Sequence, residues 1–122
     1  MAQTLGVMKI VWRGVEYDVE TGATYQRPGF DQKPVTTNSR KGHYAQEPVQ
    51  GTCTATVPLM RGQRLSELTA DGPGELQVHC DTGQIFVHPD AYRMGPPPQA
   101  TGGEGGKIQM QWGFGEGEEL VA

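Results

Sequence analysis

Apolar and polar residues alternate with a period of two through most of this chain, and that spacing restricts it to strands with one buried face. Residues 107–114 are the clearest case: Ile108, Met110, Trp112 and Phe114 fall on one side, Gln109, Gln111 and Gly113 on the other. Successive side chains of a strand point to opposite faces, whereas a helix would scatter the same residues around its circumference. From Gly51, Cys53, Ala55 and Val57 alternate with Thr52, Thr54 and Thr56 until Pro58 stops the run. Near the start, Met8, Ile10 and Trp12 alternate with Lys9, Val11 and Arg13; after Gly14, Val15, Tyr17 and Val19 alternate with Glu16, Asp18 and Glu20. These two runs predict an N-terminal hairpin with an acidic outer side. A second hairpin follows from residues 75–80, with Leu76, Val78 and Cys80 inward, and Gln84 to His88, joined by Asp81-Thr82-Gly83. Shorter strands are expected at 23–26 and 91–94.

Helix signals are sparse. Glycine and proline supply 18 and 9 of the 122 residues, a share that favours strands and turns. Leu65 and Leu68, three apart within 61–70, predict the one helix, ended by Asp71-Gly72-Pro73-Gly74. The length suits one domain over 1–122, mainly β: two packed antiparallel sheets, as a β-sandwich or flattened barrel, with one short flanking helix. Between Arg27 and Glu47 the periodicity disappears, and Pro28, Gly29, Pro34, Thr36, Thr37, Asn38, Ser39 and Gly42 predict a long polar loop. Loops beyond roughly 12–15 residues in a compact domain are usually functional or disordered. Function is favoured here by charge: Arg27, Lys33, Arg40 and Lys41 outnumber Asp31 and Glu47, while the rest of the chain holds the negative excess, including the acidic stretch Glu116 to Glu119.

Several chemistries are disfavoured. A net charge of −4 and a pI near 5.3 oppose stable phosphate binding. Trp12, Tyr17 and Trp112 fall on the core side, leaving outward threonines and glutamines that cannot stack on bases. Cys53 and Cys80 are too few for a disulfide framework and are expected as buried free thiols. A metal site from Cys53, His79, Cys80 and His88 is opposed by parity, since His79 and Cys80 point to opposite faces; His43 is expected to be solvated. The glycine-rich stretch before Lys107 is no phosphate loop, because Ile108 stands where a Ser or Thr is needed and Thr101 where a glycine is needed. Asp81-Thr82-Gly83 resembles an aspartic-protease string, but Gln84 follows where that family has a small residue, so a turn is expected. No catalytic residue, metal or cofactor is therefore assigned. The first residues lack a basic start followed by an apolar stretch, and no run is long enough to cross a membrane, so the chain is expected to be cytosolic where it is made.

The order of the pieces resembles a known family. Gly14-Val15-Glu16-Tyr17, Gly22-Ala23, Pro28-Gly29-Phe30, the basic loop, Gly51-Thr52-Cys53, Leu65-Ser66-Glu67-Leu68, Asp81-Thr82-Gly83, Gly105-Gly106-Lys107-Ile108 and the closing Glu116 to Glu119 follow one another as in the tail-tube proteins of Mu-like contractile-tailed phages. The resemblance covers nearly the whole chain and is carried by order and spacing rather than by any single motif.

It implies the tube fold shared with type VI secretion tube proteins, and a structural role rather than an enzymatic one. Six subunits would close into a ring through their sheet edges, and rings would stack into a tube inside a contractile sheath. Tail sheath protein, tape-measure protein and transiting DNA are the implied partners, with no stable nucleic-acid binding and no membrane. The implied location is the virion tail, assembled in the host cytoplasm. Arg27, Phe30, Lys33, Arg40, Lys41 and Tyr44 are the expected inter-ring loop contacts. Glu16, Asp18, Glu20, Glu116, Glu118 and Glu119 form the expected acidic partner surface. Thr52, Thr54, Thr56, Gln109 and Gln111 are the candidates for the channel wall. Within this reading a tube-initiating or non-contractile tube protein is the nearest alternative; a β-sandwich binding module and a small dimeric aspartic protease are more remote.

Overall fold

A computed structural model describes residue 6 and residues 8–100, 102–103 and 106–121. Thr101 and Gly105 of the glycine-rich stretch, and the first five residues, lie outside this set. The chain forms β1 (Met8–Trp12), β2 (Val15–Tyr17), β3 (Thr24–Gln26), β4 (Gly29–Val35), β5 (His43–Val49), β6 (Gly51–Pro58), α1 (Leu65–Leu68), β7 (Gly74–Cys80), β8 (Gln84–Arg93), β9 (Lys107–Phe114) and β10 (Glu118–Val121). The fold is mainly β with antiparallel sheets, as the alternation requires.

Strand β8 belongs to both layers. Its first half pairs with β7 and β10, and its end pairs with β9 through Tyr92 opposite Gly113 and Arg93 opposite Trp112. One layer is thus β2-β1-β7-β8-β10 and the other is the end of β8 with β9, β6 and β3. Residues 84–88 and 91–94 had read as two strands because Pro89 has no N–H to donate. The chain instead carries Pro89 through an irregularity where Gly74 and Leu76 face Ala91 and His88, so a bulge absorbs the proline and turns β8 toward the second layer.

The core fills the gap between the layers. Ile10, Trp12, Tyr17, Leu76 and Val78 from the first layer meet Cys53, Ala55, Val57, Ile108, Met110, Trp112 and Phe114 from the second, all at most 2% exposed. Each such side chain contributes roughly 1.5–3 kcal/mol by leaving water, less for alanine and cysteine. Trp12 and Trp112 meet across the layers with centroids 5.9 Å apart. The β1–β2 turn is Arg13-Gly14, both left-handed at φ 53° and 83°, as a two-residue hairpin of right-handed twist requires. Arg13 tolerates this because its N–H donates to the Glu75 carbonyl at 2.9 Å and its guanidinium lies over the Trp12 ring.

Three expectations change. The helix expected over 61–70 is a single turn, because Gly62 at φ 90° puts a tight turn in its first half; Leu68 is buried, as the spacing implied. Val15 is exposed, although the alternation put it inward with Tyr17. The stretch read as a loop is a hairpin, β4 paired with β5 from Gly29 opposite Val49 to Val35 opposite His43. It forms a separate two-stranded sheet with every residue exposed, so no in-out contrast existed for the sequence to display.

Candidate assembly surfaces

Register places the channel-wall candidates on one surface. Thr54 lies opposite Gln111 and Thr56 opposite Gln109, with Thr52 opposite Gly113, so all five side chains share the outer face of the β3-β6-β9 layer. Strand β3 extends it, since Thr24 faces Thr54 and Gln26 faces Thr52. Sequence reasoning had the short strand but not the register that assigns Thr24 and Gln26 to this face. Lys107 closes one end, its charge matched by Glu20 at 3.3 Å. Tyr92 closes another side by lying across Gly113, where an added Cβ would come within 2.9 Å of its ring, and its hydroxyl donates to Gln50. Among the described residues the surface is polar and, apart from the Lys107–Glu20 pair, without formal charge.

The β4–β5 arm carries the inter-ring candidates. Pairing puts Phe30, Gln32 and Pro34 on one face with Pro48, Gln46 and Tyr44, and puts Asp31, Lys33 and Val35 on the other with Glu47, Ala45 and His43. Phe30 and Tyr44 are 63% and 64% exposed. At the tip, the Ser39 N–H donates to Thr37 Oγ1 at 3.3 Å and the Ser39 hydroxyl lies 3.4 Å from His43 Nε2, so His43 helps order the turn that carries Arg40 and Lys41.

Charges expected to wait for a neighbouring subunit are partly matched at home. Lys33 pairs with Glu47 at 3.0 Å and Arg27 sits 3.8 Å from Glu119. Lys9 holds Glu16 at 2.7 Å, which lowers the Glu16 carboxyl and, with help from Asp18, raises the Lys9 ammonium. Among the described residues, Arg40, Lys41, Glu116 and Glu118 make no ion pair. The acidic stretch was not read as a strand. Its end is β10, with Leu120 opposite Ile85, four residues too short and too charged to show alternation.

A buried polar node joins the roots of arm and tail, with no signal in the sequence beyond His88 lying in a strand. His88 is 2% exposed, with Nδ1 3.1 Å from the Gly115 carbonyl and Nε2 against the Tyr25 hydroxyl. A carbonyl only accepts, so Nδ1 carries the proton and Nε2 accepts from Tyr25. The His88 ring stacks on Phe114 at 3.9 Å and Tyr25 on Phe86 at 4.3 Å. Burial lowers the His88 pKa and pushes the Tyr25 hydroxyl up to about 12.

The enzymatic strings read as structure. Asp81-Thr82-Gly83 is the β7–β8 turn, with Gly83 at φ 96° and Asp81 Oδ1 accepting from the Gly6 N–H at 3.2 Å. Cys53 and Cys80 are free thiols, Cys53 buried and Cys80 partly so; burial pushes Cys53 up to about 12 and also raises Cys80. Among the described residues no three His, Cys, Asp or Glu side chains gather to hold a metal, and no helix is long and apolar enough to cross a membrane.

Two layers sharing one crossing strand, with an exposed hairpin arm, define an arm-bearing β-sandwich. A family model for phage tail tube proteins matches residues 1–119, and the chain belongs to that family of structural, non-enzymatic proteins. Solved structures share the fold at very low identity. The sheath/tube terminator of the PVC extracellular contractile injection system, in its extended state, has a TM-score of 0.72 at 3% identity, covering 99% of this chain and 98% of that one. The sheath-tube complex of the same system gives 0.70 at 5%, covering 99% and 93%. The tube-terminating cap of the anti-feeding prophage gives 0.68 at 10%, covering 100% and 95%. No curated protein sequence matches the chain.

Proposed function

We propose that this chain is the repeating subunit of a contractile, Mu-like phage tail, closing as hexameric rings that stack into a hollow tube for DNA ejection. One observation carries the reading: a β4–β5 arm with no buried residue stands beside a sandwich whose outer β3-β6-β9 face is polar and nearly uncharged. A two-stranded hairpin alone is marginal in water, so the arm gains its stability from a neighbouring copy. The Thr and Gln face suits a channel wall, because the Lys107 charge at its end is already matched by Glu20, which leaves transiting DNA little with which to release its counterions. Rings join through heterologous contacts, and the unmatched Arg40 and Lys41 at the arm tip meet unmatched carboxylates, Glu116 and Glu118, of the next ring. In this reading residues 1–122 act as one tube domain, the opposite layer meets the sheath, tape-measure protein occupies the channel before DNA does, and assembly takes place in the host cytoplasm before the tube becomes part of the virion.

Negative-stain microscopy of the purified protein tests the proposal: rings or long tubes support it, and a monodisperse monomer at high concentration contradicts it. A second reading, a tube-terminating subunit, is favoured by the likeness to two terminators. Such a subunit would form single rings that never elongate, so the same micrographs separate the two.

A further inference from the structure

The two faces of the arm are unlike. Phe30, Gln32, Pro34, Tyr44, Gln46 and Pro48 make one face without a charge, while the other carries Asp31, Lys33, Glu47 and His43. The uncharged face holds the two most exposed aromatic rings of the chain, and at its root Phe30 and Pro48 share a groove with Gly115 and Glu116. Whatever covers it must also be uncharged, since burying an unmatched charge against Phe30 and Tyr44 is strongly unfavourable.

Most exposed apolar residues of the body fail that requirement. Leu120 and Val121 adjoin Glu118 and Glu119, Val15 adjoins Glu16, and Met60 adjoins Arg61, whereas Arg93 beside Met94 is largely buried and paired with Asp71. The stretch Met94-Gly95-Pro96-Pro97-Pro98-Gln99-Ala100 carries no charge. It is fixed along β9 at both ends: the Met94 N–H donates to the Gln111 carbonyl at 2.8 Å, and Ala100 bridges Ile108. Between these anchors three consecutive residues lack an N–H, so this margin cannot take a full added strand and offers proline rings instead. Shallow grooves flank it, one lined by Thr56, Gln109 and Lys107 and the other by Gln109, Gln111 and Arg93, and the two cations are already matched, Lys107 by Glu20 at 3.3 Å and Arg93 by Asp71 at 2.5 Å. Aromatic surfaces bind proline-rich segments well, because the proline backbone is already ordered.

We propose that the uncharged arm face seats on the Met94 to Gln99 ridge of a second copy of this chain, with Phe30 and Tyr44 packed on the prolines. The proposal rests on the tube reading and names the surface that receives the arm. It makes arm docking an apolar contact of low salt sensitivity, with Arg40 and Lys41 contributing at the tip only.

Mixed polymers test it. Subunits bearing Gln46→Cys are combined with subunits bearing Gln99→Cys, both in a Cys80→Ser background, and treated with a short bis-maleimide. A cross-linked heterodimer is expected, with little product when Ala45→Cys on the opposite arm face replaces Gln46→Cys. Independently, Pro96→Glu with Pro97→Glu is expected to raise the concentration needed for polymerisation about tenfold or more, as for loss of an interface hot spot, while far-UV circular dichroism and the melting temperature stay unchanged. Tubes that form normally from the glutamate variant, or that cross-link through Ala45→Cys in preference to Gln46→Cys, overturn the docking site and leave the tube reading intact. Wild-type protein that never polymerises removes both.

Discussion

Tyr25 on β3 donates its hydroxyl proton to Nε2 of His88 on β8, and His88 Nδ1–H is donated in turn to the Gly115 carbonyl beyond β9. One neutral imidazole thereby ties the root of the arm to the root of the tail, with Arg27 close enough to disfavour its protonation. Because burial lowers the folded pKa below the usual 6.5, the unfolded chain takes up the proton first on acidification. The stability supplied by the node is therefore complete above pH about 6.5 and is lost as pH falls below it. An NMR titration should find His88 protonating below 6.5, with the urea midpoint declining over the same range; a His88 that titrates at or above 6.5 contradicts this.

Alkaline pH acts most strongly through Cys53, with smaller contributions from Cys80 and Tyr25. The Cys53 thiol is pushed from 9.0 up to about 12 by burial, so the unfolded chain ionises first and stability falls as pH rises above about 9. Cys53→Ala should flatten that alkaline slope in urea titrations between pH 8 and 10, at some cost in packing at neutral pH. An unchanged slope would place the loss elsewhere.

Gly113 is a steric requirement rather than a conformational one. A methyl there would come within 2.9 Å of the Tyr92 ring, so Gly113→Ala should destabilise the fold by about 1–3 kcal/mol in chemical denaturation. Combining it with Tyr92→Ala should recover most of that loss; additive losses would show that Tyr92 is not the obstacle.

Core and arm should respond oppositely to truncation. Trp112→Ala removes a fully buried ring packed on Trp12 and should cost about 3–5 kcal/mol. Tyr44→Ala, on the uncovered arm, should change monomer stability by less than about 0.5 kcal/mol and show its effect only in polymerisation. A large loss of monomer stability from Tyr44→Ala would mean that the arm packs on its own body in solution.

How much could be read from the sequence depended on burial contrast. Strands β6 and β9 were legible because Ile108, Met110 and Trp112 are buried while Gln109 and Gln111 are exposed. The face shared by Thr54, Thr56, Gln109 and Gln111 followed from the same parity, but only the register showed that they meet. The arm was legible as charge and length and not as β4 and β5, since a hairpin exposed on both faces has no periodicity to display. Strand β8 looked broken at Pro89 because the bulge that accommodates it depends on its partner β7. The His88 node was invisible for the same reason: Tyr25 and Gly115 lie 63 and 27 residues away along the chain.

Charge reversal at the arm tip, Arg40→Glu with Lys41→Glu, should hinder ring stacking while leaving the fold intact. Sedimentation of polymers against soluble rings measures this. Normal tubes from the variant would show that the tip cations have no acidic partner on the next ring.

The most direct measurement is a cryo-electron reconstruction of the polymer formed by the wild-type chain. Thr24, Thr52, Thr54, Thr56, Gln109 and Gln111 are expected to line a central channel, with the arm of each subunit covered by a neighbouring copy. A polymer that turns this face outward, or leaves the arm uncovered in solvent, would contradict the tail-tube assembly.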